Sequence, residues 1–284
     1  MSQRDVAVRF ACQGEDLFGI LSLPERPQRR GVLVVVGGPQ YRAGSHRQFT
    51  LLARGLAAQG HATLRFDYRG MGDSSGALRT FEEVGHDLRA AIDQFFAMVP
   101  ALEEVVIWGL CDGASAALFY AHQDPRVKGL VLLNPWVRTT EGLAKATLKH
   151  YYGARLLSPE LWKKLLSGQF AFRDAARSLL TQVGTVLGSG PRPDVGQGTL
   201  GRAPLPERMR FGLQEFVGPV LFIFSGMDLT AKEFLDMAGS SHGWPTLLGA
   251  PRITRRHLND ADHTFSRRIW RDQVTSWTTE WLRG

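Results

Sequence analysis

Residues 105–117 read Val-Val-Ile-Trp-Gly-Leu-Cys-Asp-Gly-Ala-Ser-Ala-Ala, an apolar strand running directly into a stretch of small residues suited to a helix. Gly109 and Gly113 flank Cys111, and glycine at both places permits a sharp turn against closely approaching backbone. Alternation on both sides gives this junction its setting. Two alternating runs, 6–12 and 17–23, are separated by Gln13-Gly14-Glu15-Asp16 and predict a hairpin. Residues 31–36 are β-branched and apolar throughout, as in a strand buried on both faces of a parallel sheet. A helical pattern over 46–59, a strand over 62–66, a helix over 81–98, the strand 105–108, a helix over 115–122 and a strand over 129–133 complete a βαβαβαβ order, which implies the parallel α/β class.

The alternation stops over residues 138–216. No strand is expected there, and amphipathic stretches near 141–151, 159–166 and 172–183 predict a helical cap inserted into the sheet domain. Residues 184–206 hold six glycines and four prolines in 23 positions, which predicts a flexible loop without a regular element. Strand and helix then resume as a strand over 220–225, a helix over 232–241, a weaker strand over 252–257 and a last helix over 266–282. The expected fold is α/β, with a mostly parallel eight-stranded sheet, helices on both faces and the cap. Residues 1–137 and 217–284 form its core domain.

Composition removes several classes. With 44% hydrophobic and 21% charged residues in 284, the chain is neither collagen-like, coiled-coil nor disordered. The net charge of +7 permits contact with anionic surfaces but names no partner, and no nucleic-acid partner is expected. Arg252, Arg255, Arg256, Arg267, Arg268 and Arg271 cluster near the C-terminus and read as a solvated face, the alternative being an anionic partner. Cys12 and Cys111 are too few for a disulfide framework, so a reducing compartment is expected. No apolar run reaches the length of a membrane span, and the first residues lack the apolar core of a secretory signal. A soluble, cytoplasmic protein is the default expectation.

The segment around Cys111 has the G-x-S-x-G nucleophile-elbow pattern with cysteine in place of serine. A buried structural cysteine beside a glycine-rich turn is the alternative, and the strand-turn-helix context argues against it. A nucleophile of this kind needs a base and an orienting acid, in the chain order Asp or Glu and then His. Asp228 follows the strand 220–225, where α/β sheets place functional groups. His263 lies in Asn259-Asp260-Ala261-Asp262-His263-Thr264-Phe265, just before the last helix. Asp262 competes with Asp228 for the acid's place. Asp67 and Asp73 are read as holding their own loop, and His46, His86, His122 and His257 as packed or solvated.

At these residues the chain resembles the α/β-hydrolase superfamily from Val6 to Leu282. It is similar, more narrowly, to the exosortase A system-associated hydrolases of type 1. The strings that carry this are Gly37-Gly38-Pro39-Gln40-Tyr41-Arg42 with Gly44-Ser45-His46-Arg47-Gln48-Phe49, then Arg65-Phe66-Asp67-Tyr68-Arg69-Gly70-Met71-Gly72-Asp73-Ser74, and Trp108-Gly109-Leu110-Cys111-Asp112. The resemblance implies a bacterial protein working beside exopolysaccharide production and the sorting of tagged surface proteins. It also implies an oxyanion hole built from the backbone N–H of Asp112 and a donor after the third strand. Pro39 has no N–H, which leaves Gly38 or Gln40, and Gln40 is the favoured donor.

The expected activity is hydrolysis of a carboxylic ester or thioester through an acyl group on Cys111, with His263 as base and Asp228 orienting it. An acyltransferase using the same thiol, or an interaction protein on a hydrolase scaffold without turnover, are the alternatives. The substrate is expected to be a small-molecule, lipid-linked or glycan-linked acyl group. Trp136, Tyr151, Tyr152 and Trp162 are candidates to line its pocket. Neither a metal nor a cofactor is expected.

Overall fold

The computed structural model describes residues 3–38, 40–137 and 203–284. Strands β1 (Gln3–Cys12) and β2 (Glu15–Pro24) form the expected hairpin, in register from Gln3 opposite Pro24 to Cys12 opposite Glu15. The chain continues through β3 (Arg30–Val35), α1 (Gln48–Ala58), β4 (Thr63–Asp67), α2 (Gly85–Met98), β5 (Glu104–Leu110), α3 (Asp112–Tyr120) and β6 (Val127–Leu133). Then come α4 (Leu205–Glu215), β7 (Val220–Ser225), α5 (Leu229–Ser240), α6 (Trp244–Leu248), β8 (Ile253–Leu258) and α7 (Arg268–Leu282).

The eight strands lie in the order β1-β2-β4-β3-β5-β6-β7-β8. From β4 to β8 neighbouring strands are parallel, and β2 runs antiparallel to both β1 and β4. The chain moves outward from β3 to β4 and returns to the other side of β3 as β5. The loops leaving β3 and β5 therefore part in opposite directions, which opens a crevice at their carboxyl ends.

The apolar runs of the central strands are continuous because both faces are covered. On one face Leu33, Val35, Phe66, Ile107, Leu132, Phe222 and Phe224 join side chains of α2, α3, α4 and α5 in one core. On the other, Val32, Val34, Trp108, Val131, Leu133 and Ile223 meet Phe49, Leu52 and Leu56 of α1 and Val274 and Leu282 of α7. Among the described residues no helix is long and apolar enough to cross a membrane.

Boundaries differ from expectation where local backbone or tertiary packing intervenes. Helix α1 begins at Gln48 rather than His46, because His46 and Arg47 take left-handed backbone with φ of 54° and 59°. Helix α2 begins at Gly85 rather than near 81. Helix α6 was not expected; at five residues it is too short to show a period, and Trp244 anchors it edge-on against Phe234 at 5.3 Å.

The largest difference concerns the end of the expected cap. Leu205 and Pro206, placed in the flexible loop by the Gly/Pro count, form the first turn of α4, where proline is well tolerated. Helix α4 packs against the sheet domain: Met209 and Leu213 are fully buried, and a Cβ on Gly212 would lie 1.9 Å from the Leu118 carbonyl oxygen of α3. The remaining cap expectation, residues 138–202 with Tyr151, Tyr152 and Trp162, lies outside the described residues.

Candidate active site

Cys111 sits between the end of β5 and the start of α3 with φ 60° and ψ −126°, a conformation that non-glycine residues adopt at a cost of a few kcal/mol. Close packing on both sides holds it there. A Cβ on Gly113 would lie 2.4 Å from the Val35 carbonyl oxygen, and one on Gly109 would lie 2.5 Å from the carbonyl oxygen of Gly113. The two glycines that bracket the cysteine are thus the only residues this junction accommodates. Cys111 is partly exposed, whereas Cys12 is buried in β1.

Asp228 follows β7 and caps α5, its two carboxylate oxygens accepting from the backbone N–H groups of Thr230 and Ala231, each at 3.1 Å. A carboxylate anchored at a helix N-terminus is held in one orientation. Its Oδ2 lies 2.8 Å from Nδ1 of His263, in the loop between β8 and α7. With Nδ1 engaged, the other side chain that acts on the imidazole is that of Cys111. Three residues distant in sequence thus come together at one place. Asp262 takes no part, because its carboxylate turns to the N–H (2.9 Å) and hydroxyl of Ser266.

Burial opposes protonation of His263, yet the hydrogen bonds and charges of Asp228 and Cys111 outweigh it and push the imidazole from its ordinary 6.5 up to about 10. A raised folded value means that protonation of His263 favours the fold. That contribution is complete below about pH 6.5 and is lost as pH climbs towards about 10. The excess urea stability of wild type over His263→Gln is expected to decline across this window. A difference constant with pH would show that the folded imidazole holds no extra proton.

The Asp112 carboxyl group reaches the loop after β3, where a Cβ on Gly37 would lie 2.3 Å from its Oδ1. Burial raises the pKa of that carboxyl group, against the pull of the N–H groups of Gly38, Asp112 and Gly113 and of His263. The Gln40 Oε1 accepts from the Ser45 N–H at 3.4 Å and from Gln48 Nε2 at 3.5 Å. Trp136 lies beside the elbow, its N–H donating to the Cys111 carbonyl oxygen at 3.2 Å. Asp67 and Asp73 both pair with Arg42, and Asp67 also accepts from the Arg42 N–H at 2.6 Å, so they tie the loops after β3 and β4 together.

Two contributors were not singled out from the sequence. Asn134, fully buried with φ 43°, donates from Nδ2 to the Ser225 hydroxyl (2.8 Å) and to the His263 carbonyl oxygen (3.2 Å), and accepts from the Ser225 N–H at 2.9 Å. It couples the ends of β6 and β7 to the histidine loop. The available signal was a polar residue directly after an apolar strand, at the carboxyl edge of a sheet. Tyr68, after β4, is buried nearby, and its hydroxyl is held neutral by burial and by the charges of Asp112, Asp87 and Cys111. An aromatic residue in a turn-rich loop offered no comparable signal.

A parallel sheet with a cysteine at its central elbow and a histidine–carboxylate pair above its carboxyl edge defines an α/β-hydrolase fold. The chain matches the family described as serine aminopeptidase, S33, over residues 27–234, and it belongs to that family. In it Cys111 occupies the elbow of a family named for serine. Among solved structures, the Pyrococcus furiosus esterase Pf2001 superposes with a TM-score of 0.65 at 15% identity, covering 99% of this chain and 91% of its own. Est1E from Butyrivibrio proteoclasticus, solved with ferulic acid bound, gives 0.63 at 17% over 98% of both chains. Dienelactone hydrolase from Anabaena variabilis gives 0.62 at 16%, covering 100% of this chain and 98% of its own. At such identities the likeness is one of fold. No curated protein matches the chain in sequence.

Proposed function

We propose that the protein hydrolyses carboxylic esters or thioesters through a covalent acyl group on Cys111. The observation that carries this reading is the meeting of Asp228, His263 and Cys111, with 2.8 Å between Oδ2 and Nδ1 and Cys111 acting on the same imidazole. In this reading His263, with its raised pKa, already holds the proton shared by the thiol–imidazole pair when the sulfur bonds to the acyl carbon. The carbonyl oxygen becomes an oxyanion held by the N–H groups of Asp112 and Gly38. Collapse breaks the bond to the alcohol or thiol, which leaves with the proton from His263. Water then loses a proton to His263 and attacks the thioester carbon, releasing the acid and restoring Cys111.

Cysteine suits activated acyl groups, because a thiolate is both a strong nucleophile and a competent leaving group. The long loop strings shared with the exosortase A system-associated hydrolases support a role beside bacterial exopolysaccharide and exosortase systems, with an acyl group on a small molecule, lipid or glycan as substrate. Trp136, partly exposed next to the elbow, is a candidate to meet the acyl chain.

The first test compares the two thiols. Burial, reinforced by the charge of Asp87 and opposed by Arg69, pushes the Cys12 thiol up and makes it a poor nucleophile. Limiting iodoacetamide followed by peptide mapping is expected to label Cys111 first. A panel of acyl esters and thioesters should then show turnover in wild type and none in Cys111→Ala. Preferential labelling of Cys12, or equal turnover in both proteins, would overturn the reading.

A further inference from the structure

Between α1 and α7 lies a cavity of about 810 Å³ that the reaction sequence above does not use. Leu51, Arg268 and Arg271 line it together with Thr264 and Phe265, which directly follow His263. Nη1 of Arg271 donates to the His46 carbonyl oxygen at 3.5 Å, so the turn before α1 meets the first turn of α7. Residues 45–51 and 265–271 carry four arginines, Arg47, Arg267, Arg268 and Arg271, and no aspartate or glutamate. Among the described residues Arg268 alone of the four has a carboxylate partner, Asp272 at 3.3 Å, and both groups are exposed. Such a pair holds little. Beside these charges stand two exposed apolar side chains, Ile269 at 73% and Leu51 at 39%. Trp270 is partly exposed, with the Arg267 guanidinium 4.8 Å from its ring centre.

A lone exposed isoleucine needs no explanation, nor does a charged face of mixed sign. Here one sign of charge is combined with exposed apolar groups. The other arginines near the C-terminus are engaged differently: Arg252 donates to the carbonyl oxygens of Gly218 and Leu213, and Arg256 lies 6.0 Å from the ring centre of Trp277. Farther along α7 the exposed positions become Asp272, Ser276 and Glu280, which confines the patch to the start of the helix. An anionic bilayer offers phosphates to guanidinium groups and, beneath them, an apolar layer to isoleucine and tryptophan. A soluble polyanion offers only the first. We propose that the start of α7, with the turn before α1, docks on an anionic lipid surface, Ile269 entering the acyl boundary while Arg47, Arg267, Arg268 and Arg271 meet the headgroups. The patch begins four residues after His263, so docking brings the histidine loop to that surface.

Flotation with vesicles of phosphatidylcholine alone, or of equal parts phosphatidylcholine and phosphatidylglycerol, tests this. Wild type is expected to float only with the vesicles that contain phosphatidylglycerol, and to be released at about 1 M salt, where the screening length is about 3 Å. With Arg47, Arg267 and Arg268 all replaced by Gln, apparent affinity should fall on the order of 100-fold, about fivefold for each charge. Ile269→Ser leaves the charge unchanged and should lose about 10-fold. These four side chains are exposed, so urea midpoints should match wild type. A comparison variant replaces Arg4, Arg26 and Arg29 by Gln; these are exposed at the opposite, amino edge of the sheet, and binding should stay near wild type. Absence of binding to the phosphatidylglycerol vesicles, or equal losses in the two triple variants, would overturn the proposal. Full binding by Ile269→Ser to vesicles and to soluble dextran sulfate alike would also overturn it, and would make the partner a polyanion.

Discussion

His263→Ala is expected to slow acylation of Cys111 on the order of 10³-fold or more, since the substitution removes both the acceptor of the thiol proton and the donor to the leaving group. Asp228→Asn should also lose activity, but no more than His263→Ala does, because a base remains and is only badly oriented. Asparagine is a good N-cap, so the bonds from Thr230 and Ala231 survive in that variant and its stability should change little. Residues acting as one unit are not additive, and the double variant is expected to lose far less than the product of the two single losses. Pre-steady-state release of nitrophenolate measures all three. Asp262→Asn serves as the comparison, because its carboxylate is engaged with Ser266 and its loss should leave acylation near wild type. Full activity in His263→Ala would remove the histidine from the reaction, and a selective loss in Asp262→Asn would move the acid there.

Asp87→Ala is expected to cost about 3–5 kcal/mol of stability, the range for stripping one partner from a buried ion pair. Asp87, on α2, is fully buried and accepts from three donors of Arg69: its N–H at 2.8 Å, Nε at 3.0 and 3.2 Å, and Nη2 at 2.8 Å. Arg69 is itself almost wholly buried, and its remaining side-chain partner is Gln13. The substitution therefore strands a guanidinium in the interior and frees the loop after β4, next to Tyr68. Urea unfolding should show the loss in the midpoint, and the paired replacement Arg69→Met with Asp87→Leu should recover much of it, because removing both charges removes the desolvation problem. A loss below about 1 kcal/mol would mean that the pair is hydrated and holds little.

Much of this architecture was legible in the chain because its signals are local. The apolar runs at 31–36, 105–108 and 220–225 betray strands covered on both faces, and the apolar spacing in α1 and α2 betrays their buried stripes. Cys111 stood out through its two glycines, and Asp228 and His263 through their places after a strand and before the last helix. Boundaries were less legible where one backbone angle decides them. His46 and Arg47 have ordinary helical side chains and yet adopt left-handed φ. Pro204 and Pro206 counted towards a loop, and one of them opens a helix once Met209 and Leu213 have an α3 to pack against.

By itself the sequence determined the α/β class, the placing of an elbow at Cys111 and the short list of groups able to work with it. These follow from spacing and from the order of elements along the chain, which a periodic pattern records. Only the tertiary structure paired Asp228 rather than Asp262 with His263, brought Asn134 against the His263 carbonyl oxygen and set the Asp112 carboxyl group against Gly37. Each of these is a matter of which atoms meet at about 3 Å across elements far apart in sequence. That is fixed by how the strands cross over and how closely their loops pack, and no one-dimensional pattern carries it.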